Sequence, residues 1–279
     1  METTKENQVL RVGLPCYLNT LPLLHYFKAS KKIKLYFFSP KKVNEALSAR
    51  ELDAGLASSL FYAKNFKDFL ILPDLSISAV GKVKSVILYH QRPLSELDRA
   101  LIGISPETET SFGLLRIILE DFYEVSPRYQ ILEAPLSLKM PEEKALEGYL
   151  AIGDEALILQ KKGYFPYFSD LAEIWLEKTQ LPFIFALFIL RKEVAEEKKP
   201  LIKSLLRSLY ISRAKGLSSL PSLVESSRFE LERDFILNYL QHLEYDFSGL
   251  KQRAFLYFCE FLAKKEIIPS IPELNFFYL

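Results

Sequence analysis

Cysteine and histidine are scarce in this chain of 279 residues, which has two of the first and three of the second. Cys16 and Cys259 lie far apart without paired metal-ligand spacing, so neither a disulfide nor a metal site is expected and a reducing compartment is the simpler reading. Cys16 reads as a buried or loop thiol. His25, His90 and His242 stand alone, with no H-E-x-x-H or similar arrangement, which leaves metal catalysis unsupported. A G-x-S-x-G elbow, a Walker loop and a G-x-G-x-x-G turn are also missing, so the usual signatures of serine hydrolases, NTPases and dinucleotide enzymes are absent and no cofactor is expected. Neither sign of charge dominates: 36 Lys and Arg meet 35 Asp and Glu, spread along the chain, and no footprint for nucleic acid appears. The longest charge-free apolar run, Leu181 to Leu190, has about half the length that a membrane-spanning helix needs. It reads as a buried strand, with no membrane partner. The opening METTKENQVLR lacks the apolar core of a secretory signal, and no hydrophobic segment precedes Cys16 in LPCY, so a cytoplasmic location is expected.

What is present suits a globular α/β protein. Hydrophobic residues make up 49% of the chain, and its 21 Phe and 15 Tyr fall at helical and strand spacings as core residues do. The run Leu10 to Leu14 reads as a strand that stops at Pro15. Helical spacing resumes at Leu21, Leu24 and Phe27, with Asn19 or Thr20 as cap, Pro22 in the first turn, and a helix start able to attract an anion. Ile33 to Phe38 is a second strand, followed by a helix capped by Ser39 with Pro40 at its first position and Val43, Ala46 and Leu47 inward. A short strand, Leu52 to Ser59, ends in Ser58 and Ser59, where a hydroxyl either caps the next helix or meets a ligand. Strand, helix, strand alternation argues for parallel strands covered by helices, with ligands at the carboxyl ends of the strands.

Farther along, Leu70 to Val80, Leu101 to Ser105, Tyr129 to Leu132 and Tyr149 to Ile152 read as strands. Helical patterns cover Leu138 to Gly148 and Pro166 to Gln180, the second carrying Trp175, and a helix after Thr110 buries Leu114, Leu115, Ile118 and Leu119. Thr108, Thr110 and Ser111 cluster at its start, where hydroxyls and free amides make a carboxylate cradle or cap the helix. From Glu193 onward the pattern is helical, over Leu201 to Ala214, Phe229 to Leu243 and Leu250 to Lys264.

The segment YLNTLP (Tyr17 to Pro22), after a strand beginning RVG, resembles the opening of the chorismate dehydratases of the futalosine route to menaquinone. The resemblance continues in order through KSVILYH (Lys84 to His90), TETSFGLLRIIL (Thr108 to Leu119), AIGDEAL (Ala151 to Leu157) and DLAEIWLEKTQLPFIFALFILRK (Asp170 to Lys192). It implies the two-lobed fold of periplasmic binding proteins (type II), with two crossing strands as hinge and a helical C-terminal segment packed on lobe one. Lobe one is expected at residues 1–88 and 190–279, and lobe two at 89–189. The substrate implied is the dianion chorismate, dehydrated without cofactor to 3-[(1-carboxyvinyl)oxy]benzoate.

The family's catalytic positions fall on Asn19 and Ser85, with Thr110 and Ser111 as carboxylate holders; Tyr17, Ser58, Ser59, Thr108 and Asp154 complete the expected substrate contacts. No dedicated base is evident, and a carboxylate of the substrate itself is one candidate acceptor. Glu109, inside TETS, stands where a basic residue would suit an anion better. The competing functions are a solute-binding protein for a small organic anion, which would call for export, and the sister enzyme 1,4-dihydroxy-6-naphthoate synthase. A regulator's effector domain would need a helix-turn-helix before residue 11.

Overall fold

Two five-stranded sheets organise the chain in the computed structural model, which describes residues 9–28, 30–136, 146–226 and 231–278. The first sheet contains β1 (Leu10–Pro15), β2 (Ile33–Phe38), β3 (Ala54–Ser58), β4 (Phe69–Ala79) and β10 (Phe183–Arg191), in the order β2-β1-β3-β10-β4. The second contains β5 (Val86–His90), β6 (Leu101–Ile104), β7 (Arg128–Ile131), β8 (Gly148–Ile152) and β9 (Tyr167–Asp170), in the order β7-β6-β8-β5-β9. β1 runs parallel to β2 and β3, and β6 runs parallel to β7 and β8, as the alternating pattern predicts. The sheets are nevertheless mixed. β5 enters the second sheet from the first and pairs antiparallel with β8 and β9; β10 returns and pairs antiparallel with β3 and β4. A strand arriving from the other sheet enters from the opposite end, so each return inverts the direction. Leu187 to Leu190, inside the apolar run, are fully buried.

Local signals in the sequence explain most of the helices. Ser39 accepts a hydrogen bond from the Lys42 amide at 3.4 Å and starts α2 (Pro40–Ser48), which follows the short α1 (Leu21–Leu24) and buries Val43, Ala46 and Leu47. α3 (Ser59–Asn65) starts at the end of β3. α4 (Thr110–Arg116) continues into a π-helical turn, Ile117–Phe122, and the expected inner face of Leu114, Leu115, Ile118 and Leu119 is fully buried. Gly153 opens α5 (Gly153–Lys162).

The helix expected from Pro166 divides into β9 and α6 (Leu171–Thr179). Tyr167 and Phe168 pair along β5 as an edge strand, which suits aromatics, and Asp170 then caps α6 through the amides of Ala172 and Glu173 at 3.0 and 3.3 Å. Of the helix expected over Leu138 to Gly148, residues 138–145 lie outside the described residues, and Gly148 opens β8.

The C-terminal part folds as α7 (Lys199–Ser218), α8 (Leu220–Ser226), α9 (Arg233–Leu240) and α10 (Gly249–Lys264). The start expected at Phe229 falls outside the described residues. These helices do not pack on the first sheet alone. Fully buried Trp175 of α6 meets Phe258 and Phe261 of α10 with ring centroids 6.0 Å away, and Lys265 pairs with Glu120 and Asp121 at 2.8 and 3.0 Å. The apolar face of α10 is wide enough to cover elements of both halves.

On the other side α7 crosses α1 at Gly216, where an added Cβ would lie 2.3 Å from the Pro22 carbonyl oxygen. Backbone cannot yield as a side-chain tip does, so Gly216→Ala is expected to cost at least about 2 kcal/mol in urea unfolding. An unchanged midpoint would show that the two helices separate freely there.

Candidate active site

The turn between β1 and α1 carries Asn19, and two other parts of the chain hold it. Tyr245 donates from its hydroxyl to the Asn19 carbonyl at 2.9 Å, and the Leu18 amide donates to Asp154 Oδ1 at 3.2 Å. Thr20 turns its hydroxyl back onto the Tyr17 carbonyl at 2.9 Å. Neither Asn19 nor Thr20 caps α1 through its side chain, contrary to the sequence expectation. Leu18–Thr20 forms a 3-10 turn, and α1 is a single turn too short to act as an anion site. Freed from capping, the Asn19 side chain lines the cleft, and its buried Oδ1 has no hydrogen-bond partner among the described residues. A buried amide oxygen left so costs roughly 1–3 kcal/mol, which a ligand donor would recover.

Between the sheets lies a cleft of about 660 Å3, counted to its open mouth. Asn19, Tyr17, Ser58, Ser85, Thr110 and Ser111 line it together, from four separate stretches of sequence. Ser85 is held from both sides. Its carbonyl accepts from the Gly153 amide at 2.7 Å, and the preceding Lys84 amide donates to buried Asp170 at 2.6 Å. Sequence reasoning did not find Glu107, Pro15, Ile77, Ile152 or Phe185, which complete the walls. Apolar wall residues carry no motif; Glu107 had a signal, as its neighbours in the same loop did, and its Oε2 is likewise buried without a partner. Among the described residues no Lys, Arg or His lines this cavity.

Several expected contacts are already committed to the protein. Thr110 Oγ1 accepts from the Leu60 amide at 3.0 Å and so satisfies the start of α3 across the cleft. Ser59 lies beneath the wall and donates to the Ile184 carbonyl at 2.8 Å. Ser58 caps α3 through the Phe61 amide at 3.2 Å and donates to Glu109 Oε2 at 3.0 Å. Glu109 also receives Asn44 at 3.0 Å and pairs with Lys64 at 2.9 Å, so its charge is compensated. Thr108 lines a neighbouring cavity with Pro40 and Ile131. Asp154 faces an outer groove with Cys16 and Phe37, divided from the main cavity by Tyr17. Cys16 is an exposed free thiol and Cys259 a buried one. Among the described residues no helix is long and apolar enough to cross a membrane, and no three His, Cys, Asp or Glu converge as a metal site.

A family model described as menaquinone biosynthesis matches residues 10–264. The chain belongs to that family. It is 31% identical over 265 residues to a chorismate dehydratase of Thermus thermophilus, covering 87% of this chain and 93% of that protein. It is 30% identical over 195 residues to a chorismate dehydratase of Campylobacter jejuni, covering 70% and 67%. Among solved structures, a ligand-binding component of a Staphylococcus aureus ABC-type import system superimposes with a TM-score of 0.71 at 15% identity, covering 97% of this chain and 96% of that one. The periplasmic aliphatic sulphonate binding protein of Escherichia coli gives 0.66 at 15% identity, covering 96% and 90%. These structures establish the fold of periplasmic binding proteins and no more.

In this member of the menaquinone-biosynthesis family, burial is the main force on the groups around Tyr17. It raises the Tyr17 phenol, aided by Glu107, Asp154 and Glu155, and lifts Asp154 to about 6, against a small opposing effect of the Leu18 amide. At Gly153, with φ at +58°, an added Cβ would lie 2.9 Å from the Tyr17 ring, which packs flat on this backbone. An acid whose folded pKa exceeds its unfolded value near ~3.9 binds extra proton when folded, so its contribution to stability is complete below about pH 4 and is lost as pH rises through 6. Urea unfolding should therefore show wild type losing roughly 2–3 kcal/mol relative to Asp154→Asn between pH 4 and 6, with parallel curves above pH 7. Curves parallel throughout would mean that the carboxylate is well solvated.

Proposed function

We propose that this chain is a chorismate dehydratase, removing water from chorismate to give 3-[(1-carboxyvinyl)oxy]benzoate. The observation that carries this reading is the meeting of Asn19 and Ser85 at one apolar-walled cavity in a chain of the menaquinone-biosynthesis family. Dehydration removes one ring proton and one hydroxyl, and aromatisation supplies the driving force. The protein then has to orient the ring, exclude water and assist departure of the hydroxyl, which neutral groups can do. Asn19, with an unpaired amide oxygen, and Ser85 address the reacting edge of the ring. Ser111 and the first-turn amides of α4, which no side chain caps, receive a substrate carboxylate. Tyr17 closes the cavity toward the outer groove.

The ring proton passes to one of the substrate's own carboxylates, since Glu109 is engaged with Asn44, Ser58 and Lys64, and from there to the departing hydroxide, which leaves as water. The reading divides the chain into lobe one, residues 1–88 and 190–279, and lobe two, residues 89–189. Sheet membership supports two lobes and favours earlier bounds for both crossings, just before β5 and just before β10, because β5 lies wholly in the second sheet and β10 wholly in the first. The exposed free thiol of Cys16 suits a reducing compartment, and the reaction is assigned to the cytoplasm.

Purified protein given chorismate and a chelator, without any cofactor, should form a product lighter by one water in mass spectrometry. Tight binding of chorismate without turnover would instead favour an anion-binding protein, and turnover of the dihydroxynaphthoate precursor alone would favour the sister enzyme. Asn19→Ala and Ser85→Ala should each lower kcat by roughly 10² or more while the protein stays folded.

Glu107→Gln separates the proton acceptors. Turnover within roughly threefold of wild type is expected when a substrate carboxylate takes the proton; a loss as large as that of Asn19→Ala would give the role to Glu107.

A further inference from the structure

A short passage, residues 80–85, carries the chain from the first sheet into the second before β5, and Ser85 is its last residue. Its backbone is constrained. Lys84 has φ at +63°, in the left-handed region that residues with a Cβ adopt only at a cost. Gln180 shares that conformation at the end of α6, where a helix stop makes it common, but Lys84 ends no helix. Such a residue persists only where its surroundings hold it. Here the holder is Asp170, whose Oδ2 accepts from the Lys84 amide at 2.6 Å while Oδ1 takes the Ala172 and Glu173 amides at the start of α6. Asp170 is 6% exposed, so water does not replace it on that amide. α6 also ties down both crossings elsewhere: Glu173 pairs with Lys82 at 3.3 Å, and Trp175 donates to the Pro182 carbonyl at 3.2 Å. The Gly153 amide fixes the peptide that follows Ser85, and the peptide that precedes it depends on Lys84.

We infer that Asp170 is a positioning residue for the dehydration, one whose carboxylate holds Lys84 left-handed and thereby sets the direction in which Ser85 enters the cavity. The inference rests on the dehydratase reading and adds to it a group outside the cavity wall that aims a group within it. Were Lys84 to relax to an extended φ, the Lys84–Ser85 peptide would turn over and carry the serine hydroxyl off its present line. A misplacement of about 1 Å in a group that acts on the departing hydroxyl lowers kcat and leaves substrate binding nearly unchanged.

Asp170→Asn separates the hinge bond from the helix cap. Asparagine offers one oxygen where Asp170 uses two; the cap, with two amides to serve, takes it, and an NH2 group is left facing the Lys84 amide, donor against donor. In the full chain this variant is expected to lower kcat about tenfold with KM within about twofold. Glycine takes the left-handed region freely, so in a Lys84→Gly background the same change should cost only about twofold. A tenfold loss in both backgrounds, or an unchanged kcat beside a lower thermal midpoint, would overturn the inference and leave Asp170 as a helix cap.

Should Asp170→Asn fold poorly, Lys84→Gly and Lys84→Val put the same question with Asp170 intact. Both lose the contact of Lys84 with Asn238, so the comparison reports the backbone preference at position 84. The valine variant should have a kcat lower than that of the glycine variant by about fivefold or more, and equal rates count against the inference. A crystal structure of Asp170→Asn separates this inference from the function. Lys84 still left-handed there, with Ser85 unmoved, sinks the inference whatever the activity. Wild-type protein inactive on chorismate sinks the dehydratase reading, and with it the role of Asp170 in dehydration.

Discussion

The arrangement of the cleft depends on how the turn between β1 and α1 is held. A 3-10 turn of three residues followed by a single helical turn has too few internal hydrogen bonds to fix its own shape. The restraint comes from outside, through the Tyr245 hydroxyl on the Asn19 carbonyl, the Asp154 carboxylate on the Leu18 amide, and the Tyr17 ring over Gly153. Each anchor lies more than 130 residues away in sequence. Tyr245 is itself fixed against β4, whose Ser76 amide donates to the Tyr245 carbonyl at 3.0 Å. The first sheet, the C-terminal segment and α5 thus jointly aim one asparagine side chain into the cavity.

The same economy governs the two halves of the cleft. Ser59 ties α3 to β10 within the first half, while Thr110 completes the amides of α3 and Glu109 gathers Asn44, Ser58 and Lys64, so hydroxyls that look like ligand contacts join one half to the other. Opening the cleft would strip these bonds from partly buried groups, at roughly 1 kcal/mol for each neutral bond exchanged for water. α10 adds a second restraint, since Phe258 and Phe261 sit on Trp175 while the helix also contacts β10. Any hinge motion has to slide this aromatic contact, which favours a small closing movement over a wide one.

Much of this was readable in the sequence where the signal is local. Ser39 with Pro40, the inner faces of α2 and α4, and the strand at Leu181 to Leu190 follow from spacing and caps, and the order of the quoted motifs carried the family. The antiparallel entry of β5 and β10 was not readable, because direction within a sheet follows from where the chain has been. β9 was missed because four residues of edge strand beside a helix carry too short a period to register. At the site, Asn19, Ser85 and Ser111 lie where the motifs put them. That Thr110 serves α3 and that Asp154 serves the Leu18 amide are long-range pairings, which no single stretch encodes.

The cavity's lack of a cation fits the chemistry assigned to it. Chorismate and its dehydration product both carry two carboxylates, so an arginine clamp would hold substrate and product alike. Such uniform binding does not raise kcat and slows release. On the proposed reading, neutral donors at Ser111 and the start of α4 bind a carboxylate more weakly, and in a cavity walled by Ile77, Ile152 and Phe185 they act in a low-dielectric space where each counts for more than it would in water. On the same reading the charge that changes during the reaction is on the departing hydroxyl, which is the group assigned to Ser85. Lys64 neutralises Glu109 at the rim, and dipoles fixed before the substrate arrives act beside the Glu107 carboxylate in the cavity wall. A site built in this way spends its binding interactions on the one bond that breaks.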